Sequence, residues 1–292
     1  MNAAAELFID SKCQLGEGAL WHPLLNRLFW FDILKQMLFS ADANGIVVDR
    51  FSFEAPVSAA GVIDADNLII AAAGGLFRLE LSTDVRELIT PLEADKPGNR
   101  SNDGRVDRTG GFWIGTMNRE RPGRDASGSL YQYRNGVLST LRGDIHIPNS
   151  TCFSPDGRTA YFTDGVTRQI EQCAIDPATG LPTGPWRPFA MAPKGVDPDG
   201  SITDSEGFVW NCEWKGWRVV RYAPDGRIDR VVTLPVGCPT CPAFGGPDLK
   251  TLYITTARQG LTESELDKQP LAGGVFSVRV DVPGLPEPTV KL

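Results

Sequence analysis

Apolar and polar residues alternate along this chain in short runs, broken every few residues by turn-forming Gly, Pro, Asn and Asp. Six segments share one plan of apolar strand, polar turn and second strand with a large residue at its centre. They are GALWHPLLNRLFWFDI, AGVIDADNLIIAAAG, GRVDRTGGFWIGTM, STCFSPDGRTAYFTDG, GSITDSEGFVWNCEW and PAFGGPDLKTLYITTAR. Period-two alternation around a Pro-Asp-Gly or Asp-x-x-Gly turn predicts an antiparallel hairpin. The central residues, Trp30, Ile70, Trp113, Tyr161, Trp210 and Tyr253, recur at intervals of 40 to 49 residues. That is room for four strands per unit.

The segments between the hairpins also read as strands, for example Leu76–Glu80, Ser129–Tyr133, Arg218–Tyr222 and Val275–Arg279. Six four-stranded sheets arranged in a ring leave only short edges exposed. The pattern therefore predicts an all-β, six-bladed β-propeller, one domain over residues 1–292. Glu6–Ile9 closes the ring by joining the blade supplied by the C-terminus. Asp64, Asp107, Asp156 and Asp204 fall in hairpin turns, where a short carboxylate bonds nearby backbone, and are read as structural.

Counting back 11 to 13 residues from the strand centres reaches a polar residue in four repeats: Glu17, Asn102, Asn149 and Asp199. The corresponding places in the second and sixth repeats fall near Ser58 and near Thr240 and Cys241. Equal phase in a propeller means equal height, so these residues are expected around one mouth of the central channel. Carboxylates and carboxamides crowded there repel unless a cation lies between them. Glu17, Asn149 and Asp199 are oxygen donors suited to a divalent ion. Arg100, two residues before Asn102, shares its strand face. Glu120 follows the second strand of its blade at the end that returns to the mouth.

Composition narrows the chemistry. A formal net charge of -7 disfavours nucleic acid or an anionic membrane as partner. No apolar stretch is long enough to span a bilayer as a helix, and no signal peptide is recognised at the start. Six scattered cysteines are read as reduced thiols in a cytoplasm, and Cys238-Pro-Thr-Cys241 lacks the second pair a zinc site needs. Of the two histidines, His22 falls in the first hairpin turn and His146 is read as a packed strand histidine, and no nucleophile elbow surrounds any serine to make a triad with either.

The chain resembles the gluconolactonase, senescence-marker-protein and luciferin-regenerating-enzyme family of six-bladed propellers. The likeness rests on Leu15-Gly-Glu-Gly-Ala-Leu-Trp21, Arg100-Ser-Asn-Asp-Gly104, Gly115-Thr-Met117, Pro148-Asn149, Phe153-Ser-Pro-Asp-Gly157, Pro198-Asp-Gly200, Phe244-Gly-Gly246 and Thr256-Ala-Arg258. It implies a metal-dependent sugar lactonase, nearest to pentonolactonases acting on xylonolactone, with gluconolactone and arabinonolactone as alternatives. It also implies that Glu17, Asn149 and Asp199 ligate the metal and that Arg100, Asn102 and Glu120 contact substrate or sit near the ion; on that reading Asp199 is the expected general base for the attacking water. The oxygen-only donor set suits Fe²⁺, Mn²⁺ or Mg²⁺, with Ca²⁺ or Zn²⁺ as further candidates. A metal-binding scaffold without catalysis is the competing class. Ser201 and the Cys238–Phe244 segment depart from the family pattern, which bears on substrate preference.

Overall fold

The computed structural model describes residues 3–292. Six sheets succeed one another around an axis, and in the first four of them the four antiparallel strands follow in chain order. Blade 1 comprises Gly16–His22, Arg27–Asp32, Met37–Asp42 and Val47–Ser52. Blades 2, 3 and 4 begin with Val57–Val62, Asn99–Val106 and Pro148–Phe153, and blade 5 with Asp197–Thr203. Blade 6 combines Pro239–Gly245, Thr251–Thr256 and Val275–Arg279 with Glu6–Ile9 from the other end of the chain. That antiparallel pairing of Glu6 with Ser277 closes the ring as expected. Ala3–Ala4 additionally pairs parallel to Ile228–Thr233 as a fifth strand of blade 5, which the alternation pattern does not reveal.

All six predicted strand centres lie in second strands and are buried. The segments Leu76–Glu80, Ser129–Tyr133, Arg218–Tyr222 and Val275–Arg279 are third strands, each covered by a fourth. Apolar side chains of neighbouring blades interlock into clusters such as Trp113, Leu130, Phe153 and Phe162, in which Trp113 meets Phe153 edge-on at 5.1 Å. Burial of these flat faces is the main force joining blade to blade. The α-helix Glu263–Lys268 interrupts blade 6 and starts with a Thr262/Glu265 capping box.

The first strands adjoin one another in a closed ring about the axis. Every one carries a one-residue register shift against its second strand: after Glu17, Val57, Ser101, Asn149, Pro198 and Pro239. A bulge adds twist and re-aims side chains. Here it turns the residues at the start of each first strand toward the axis. At the opposite end the C-terminal segment crosses the hairpin turns. Backbone bonds tie Gly284 to Leu249, Val290 to Val62 and Lys291 to Gly110. The buried Arg105–Glu287 pair, 2.6 Å apart, lies under this strap. The channel thus has one open mouth.

Candidate functional site

A cavity of about 330 Å³ occupies that mouth. Glu17 of blade 1, Arg100 and Asn102 of blade 3, Asn149 of blade 4 and Asp199 of blade 5 all form its wall. Four blades therefore deliver five of the six residues singled out from sequence to one small volume. Each of the five is less than a tenth exposed.

Their equal phase proves approximate, for a local reason. Glu17 and Asn149 pair with Phe31 and Thr163 at the flank of the bulge. Asn102 and Asp199 lie inside it, between Ser101 and Gly104 and between Pro198 and Ser201. The residues after Glu17 and Asn149 are left-handed, Gly18 at φ 58° and Ser150 at φ 60°. Glycine adopts this conformation freely; Ser150 does not, and a fully buried non-glycine held there is strained. Its Oγ donates to the Asp199 carbonyl at 2.7 Å, fixing blade 4 to blade 5.

A relay of hydrogen bonds crosses blades 3 and 4. Arg100 Nη1 donates to Asn102 Oδ1 at 2.7 Å, and Asn102 Nδ2 donates to Asn149 Oδ1 at 2.8 Å. Asn102 Nδ2 also reaches the Pro148 carbonyl at 2.9 Å. Asp103, one residue further on, accepts the Thr151 N–H at 2.7 Å and so braces the bulge that carries Asn149.

The electrostatics are unbalanced. Burial, then the nearby Asp103, pushes Glu17 up to about 8. Burial followed by Glu17 and Asp103 raises Asp199 well above the usual carboxylate range, and burial raises Asp103. Burial draws Arg100 down to about 10 despite the attraction of Glu17 and Asp199. Its Nη1 is spent on the Ser101 carbonyl and Asn102 instead of a carboxylate. Glu17 accepts one hydrogen bond, from Gly18 N–H at 3.2 Å.

A divalent cation fits this arrangement. Two buried carboxylates with free lone pairs and a carboxamide oxygen form a hard, oxygen-only donor set, and a positive charge would relieve their repulsion. Among the described residues no three His, Cys, Asp or Glu side chains gather as a ligand cluster. The amide oxygen of Asn149, on the same wall, would serve as the third donor to such an ion.

Glu120 is not brought to the cavity wall. It is exposed, on the loop after Phe112–Asn118, with its N–H bonded to Asn118 Oδ1; Pro122, two residues on, lines the cavity. His146 is no strand residue: it sits in the turn entering blade 4, its Nδ1 3.0 Å from Asp164 Oδ2. His22 is fully buried at the end of the first strand of blade 1, its Nε2 3.0 Å from the Asp64 carbonyl. All six cysteines are free and buried, Cys238 and Cys241 included. Asp197 lines the cavity with Asp199 but is partly exposed.

Trp214, Lys215 and Gln259 belong to the wall and escaped the sequence count, which followed only the first strands. Asp103 escaped because it adjoins Asn102, and ordinary strand alternation would point it away.

The model of the SMP-30/Gluconolactonase/LRE-like region matches residues 15–258. The L-arabinolactonase of Azospirillum brasilense is 37% identical, over 93% of this chain and 90% of its own. The 6-deoxy-6-sulfogluconolactonase of Pseudomonas putida is 34% identical, over 99% of both chains. A crystal structure titled as a calcium-binding protein, regucalcin, from Agrobacterium tumefaciens superimposes with TM-score 0.96 at 37% identity, covering 100% of this chain and 99% of that one. With its sheets, its motifs and its whole length thus matched, the chain belongs to the SMP-30/gluconolactonase/LRE-like family.

Proposed function

We propose that this protein is a sugar lactonase, which hydrolyses an aldonolactone to the aldonic acid with a divalent metal ion. The observation that carries the reading is the convergence of Glu17, Asn149, Asp199, Arg100 and Asn102 on one cavity of about 330 Å³. That volume is at the lower end for small-molecule sites and suits a pentono- or hexonolactone. Xylonolactone is the proposed substrate, with glucono- and arabinonolactone as alternatives. The names of the lactonase relatives support the reaction class.

Glu17, Asn149 and Asp199 would hold the ion: Fe²⁺, Mn²⁺ or Mg²⁺ by donor chemistry, or Ca²⁺, in line with the calcium-binding regucalcin from Agrobacterium tumefaciens, or Zn²⁺. When bound, it supplies Lewis acidity toward the lactone carbonyl and the attacking water. The Asp199 carboxylate takes the proton from that water as its oxygen bonds to the carbonyl carbon. The ring C–O bond then breaks, and Asp199 returns the proton to the departing ring oxygen. Arg100, through its guanidinium N–H groups not spent on Ser101 and Asn102, and Asn102, through the remaining lone pair of its Oδ1, bind hydroxyls of the sugar, and their mutual bond fixes both before substrate arrives. Glu120, at the rim, would meet only a hydroxyl extending out of the cavity.

The test is acid release from a panel of pentono- and hexonolactones by chelator-stripped protein, with single metals restored and spontaneous hydrolysis subtracted. Metal-restored turnover is the expected outcome. Ion binding without turnover on any lactone would instead support the non-catalytic scaffold.

A further inference from the structure

The cavity wall holds one cation that the proposed reaction does not use. Lys215 lies on the short connection between Val209–Trp214 and Arg218–Tyr222 of blade 5. That connection is built rigidly. Glu213, fully buried, accepts from Arg218 Nε and from Tyr222 Oη, and its carbonyl accepts the Gly216 N–H at 2.8 Å. Lys215 itself is left-handed at φ 64°, a conformation that costs a non-glycine residue free energy.

The ammonium is exposed at the wall, and among the described residues no carboxylate lies within 4 Å of it. Asp197, whose neighbour across the ladder is Trp214, leaves it unpaired. Glu265 is the other acid nearby, and its carboxylate is occupied by Thr262 N and Oγ1, each at 2.8 Å. Arg100, by contrast, is committed to Asn102 and the Ser101 carbonyl. Three wall carboxylates, Glu17, Asp197 and Asp199, face these two cations. A divalent ion at the mouth centre would leave the wall with one positive charge in excess.

Position determines what that charge can meet. The proposed ion ligands start first strands, next to the axis, whereas Lys215 joins a second to a third strand, further out. A lactone with its carbonyl at the axis would extend its other end outward, where, among the described residues, Lys215 is the wall's one cation outside the first strands. Resting on the lactonase reading, we infer that Lys215 recognises an anionic substituent at the end of the sugar remote from the lactone carbonyl. Preferred substrates are then lactones with a terminal carboxylate, sulfonate or phosphate ester. An ammonium is a point charge that accepts all three.

The experiment compares D-glucaro-1,4-lactone, which has a terminal carboxylate, with neutral D-glucono-1,4-lactone, using Mn²⁺-loaded wild type, Lys215→Met and Lys215→Arg. Lactones with a 6-phosphate or a 6-sulfonate form further arms and rank the three anions. In parallel, calorimetry measures binding of the open-chain acids glucarate and gluconate, which needs no turnover. Expected is a fall of roughly fivefold or more in the charged-to-neutral ratio of kcat/KM in Lys215→Met, carried by KM and largely retained in Lys215→Arg. The glucarate-to-gluconate affinity ratio falls in step. Ratios unchanged in both assays, in a variant with wild-type melting temperature, overturn the inference. Absent turnover on all lactones, with glucarate preference still lost in Lys215→Met, upholds Lys215 and overturns the lactonase reading instead.

Discussion

Asn102 and Asn149, 47 residues apart and on different blades, share a 2.8 Å hydrogen bond in which Asn102 Nδ2 donates to Asn149 Oδ1. The bond fixes which atom of the Asn149 amide faces the mouth. An oxygen there can donate a second lone pair to a cation, while an inverted amide would present N–H and repel it. Asn102→Leu removes the constraint without adding charge. The expected result is a metal affinity lower by roughly 10- to 100-fold, the range for losing a group that orients a ligand. Calorimetric titration with Mn²⁺ measures it. Unchanged affinity would mean that Asn149 is oriented by its backbone alone.

Asp199 sets activity against stability. In the metal-free protein it adds a third buried negative charge to Glu17 and Asp103, and removing that charge relieves both. Asp199→Asn is therefore expected to lower turnover by at least about 10³-fold, by the loss of base and ligand together, while raising the melting temperature of chelated protein at neutral pH. The pH dependence follows from the same groups. Glu17 is raised from 4.5 to about 8 on folding, so the folded chain prefers its protonated form. Its stabilising contribution is complete below pH 4.5 and is lost as pH rises toward 8. Chelated wild type should melt progressively lower from pH 5 to 8, less steeply in Asp199→Asn, and with a flatter profile once metal is added. A chelated wild type whose melting point rises across that range would contradict the crowding of charge at the mouth.

Glu120 offers a sharper contrast with Arg100 than sequence alone allowed. It is exposed and outside the wall, whereas Arg100 is buried in it. Glu120→Ala should raise KM by no more than about threefold with kcat intact, since an exposed side chain at the rim contributes binding shared by ground and transition states. Arg100→Met should lower kcat/KM by about 100-fold or more. Steady-state kinetics on the best lactone distinguishes them, and a pure kcat loss in Glu120→Ala would show that its loop closes onto the reacting atoms.

What the chain reveals by itself is governed by the range of the physics. Hairpins such as Thr159–Asp164 against Pro148–Phe153 announce themselves, because alternation and a Pro-Asp-Gly turn act over a few residues. Glu17, Asn149 and Asp199 could be found because six copies of one hairpin allow comparison at equal phase. The bulges could not, since a one-residue shift in hydrogen-bond register leaves no mark on polarity. They place Asp103, beside Asn102, where its carboxylate reaches the Thr151 N–H of blade 4. Lys215 and Trp214 were hidden for another reason: the connections between second and third strands differ in length and composition from blade to blade. Glu120 follows its second strand as read, but its loop has a course that no repeat predicts. The Arg105–Glu287 pair, 182 residues apart, depends on the course of the C-terminal strap and has no local signature.

The turn aspartates were legible as structural residues, and two of them do more than cap a turn. Asp107 accepts from Trp113 Nε1 at 3.0 Å and Asp204 accepts from Trp210 Nε1 at 2.9 Å, so each ties its turn to the large residue of the following strand. Trp30, whose turn contains no Asp, leaves its buried Nε1 without a partner. Asp107 is fully buried and surrounded by donors alone. Thr109 N, Thr109 Oγ1 and Gly111 N approach Oδ1, while Trp113 Nε1 and Gln132 Nε2 approach Oδ2. An asparagine has the same shape, yet whichever way its amide turns, an NH₂ faces donors. Asp107→Asn is thus expected to destabilise the protein by about 2–4 kcal/mol, as much as Asp107→Ala despite the conserved volume. Denaturant unfolding checks the pair. The folded variant should keep its kcat/KM, because Asp107 lies at the hairpin end of blade 3, away from the mouth. A mild effect of the isosteric change would mean that shape, and not the carboxylate, holds the turn to Trp113.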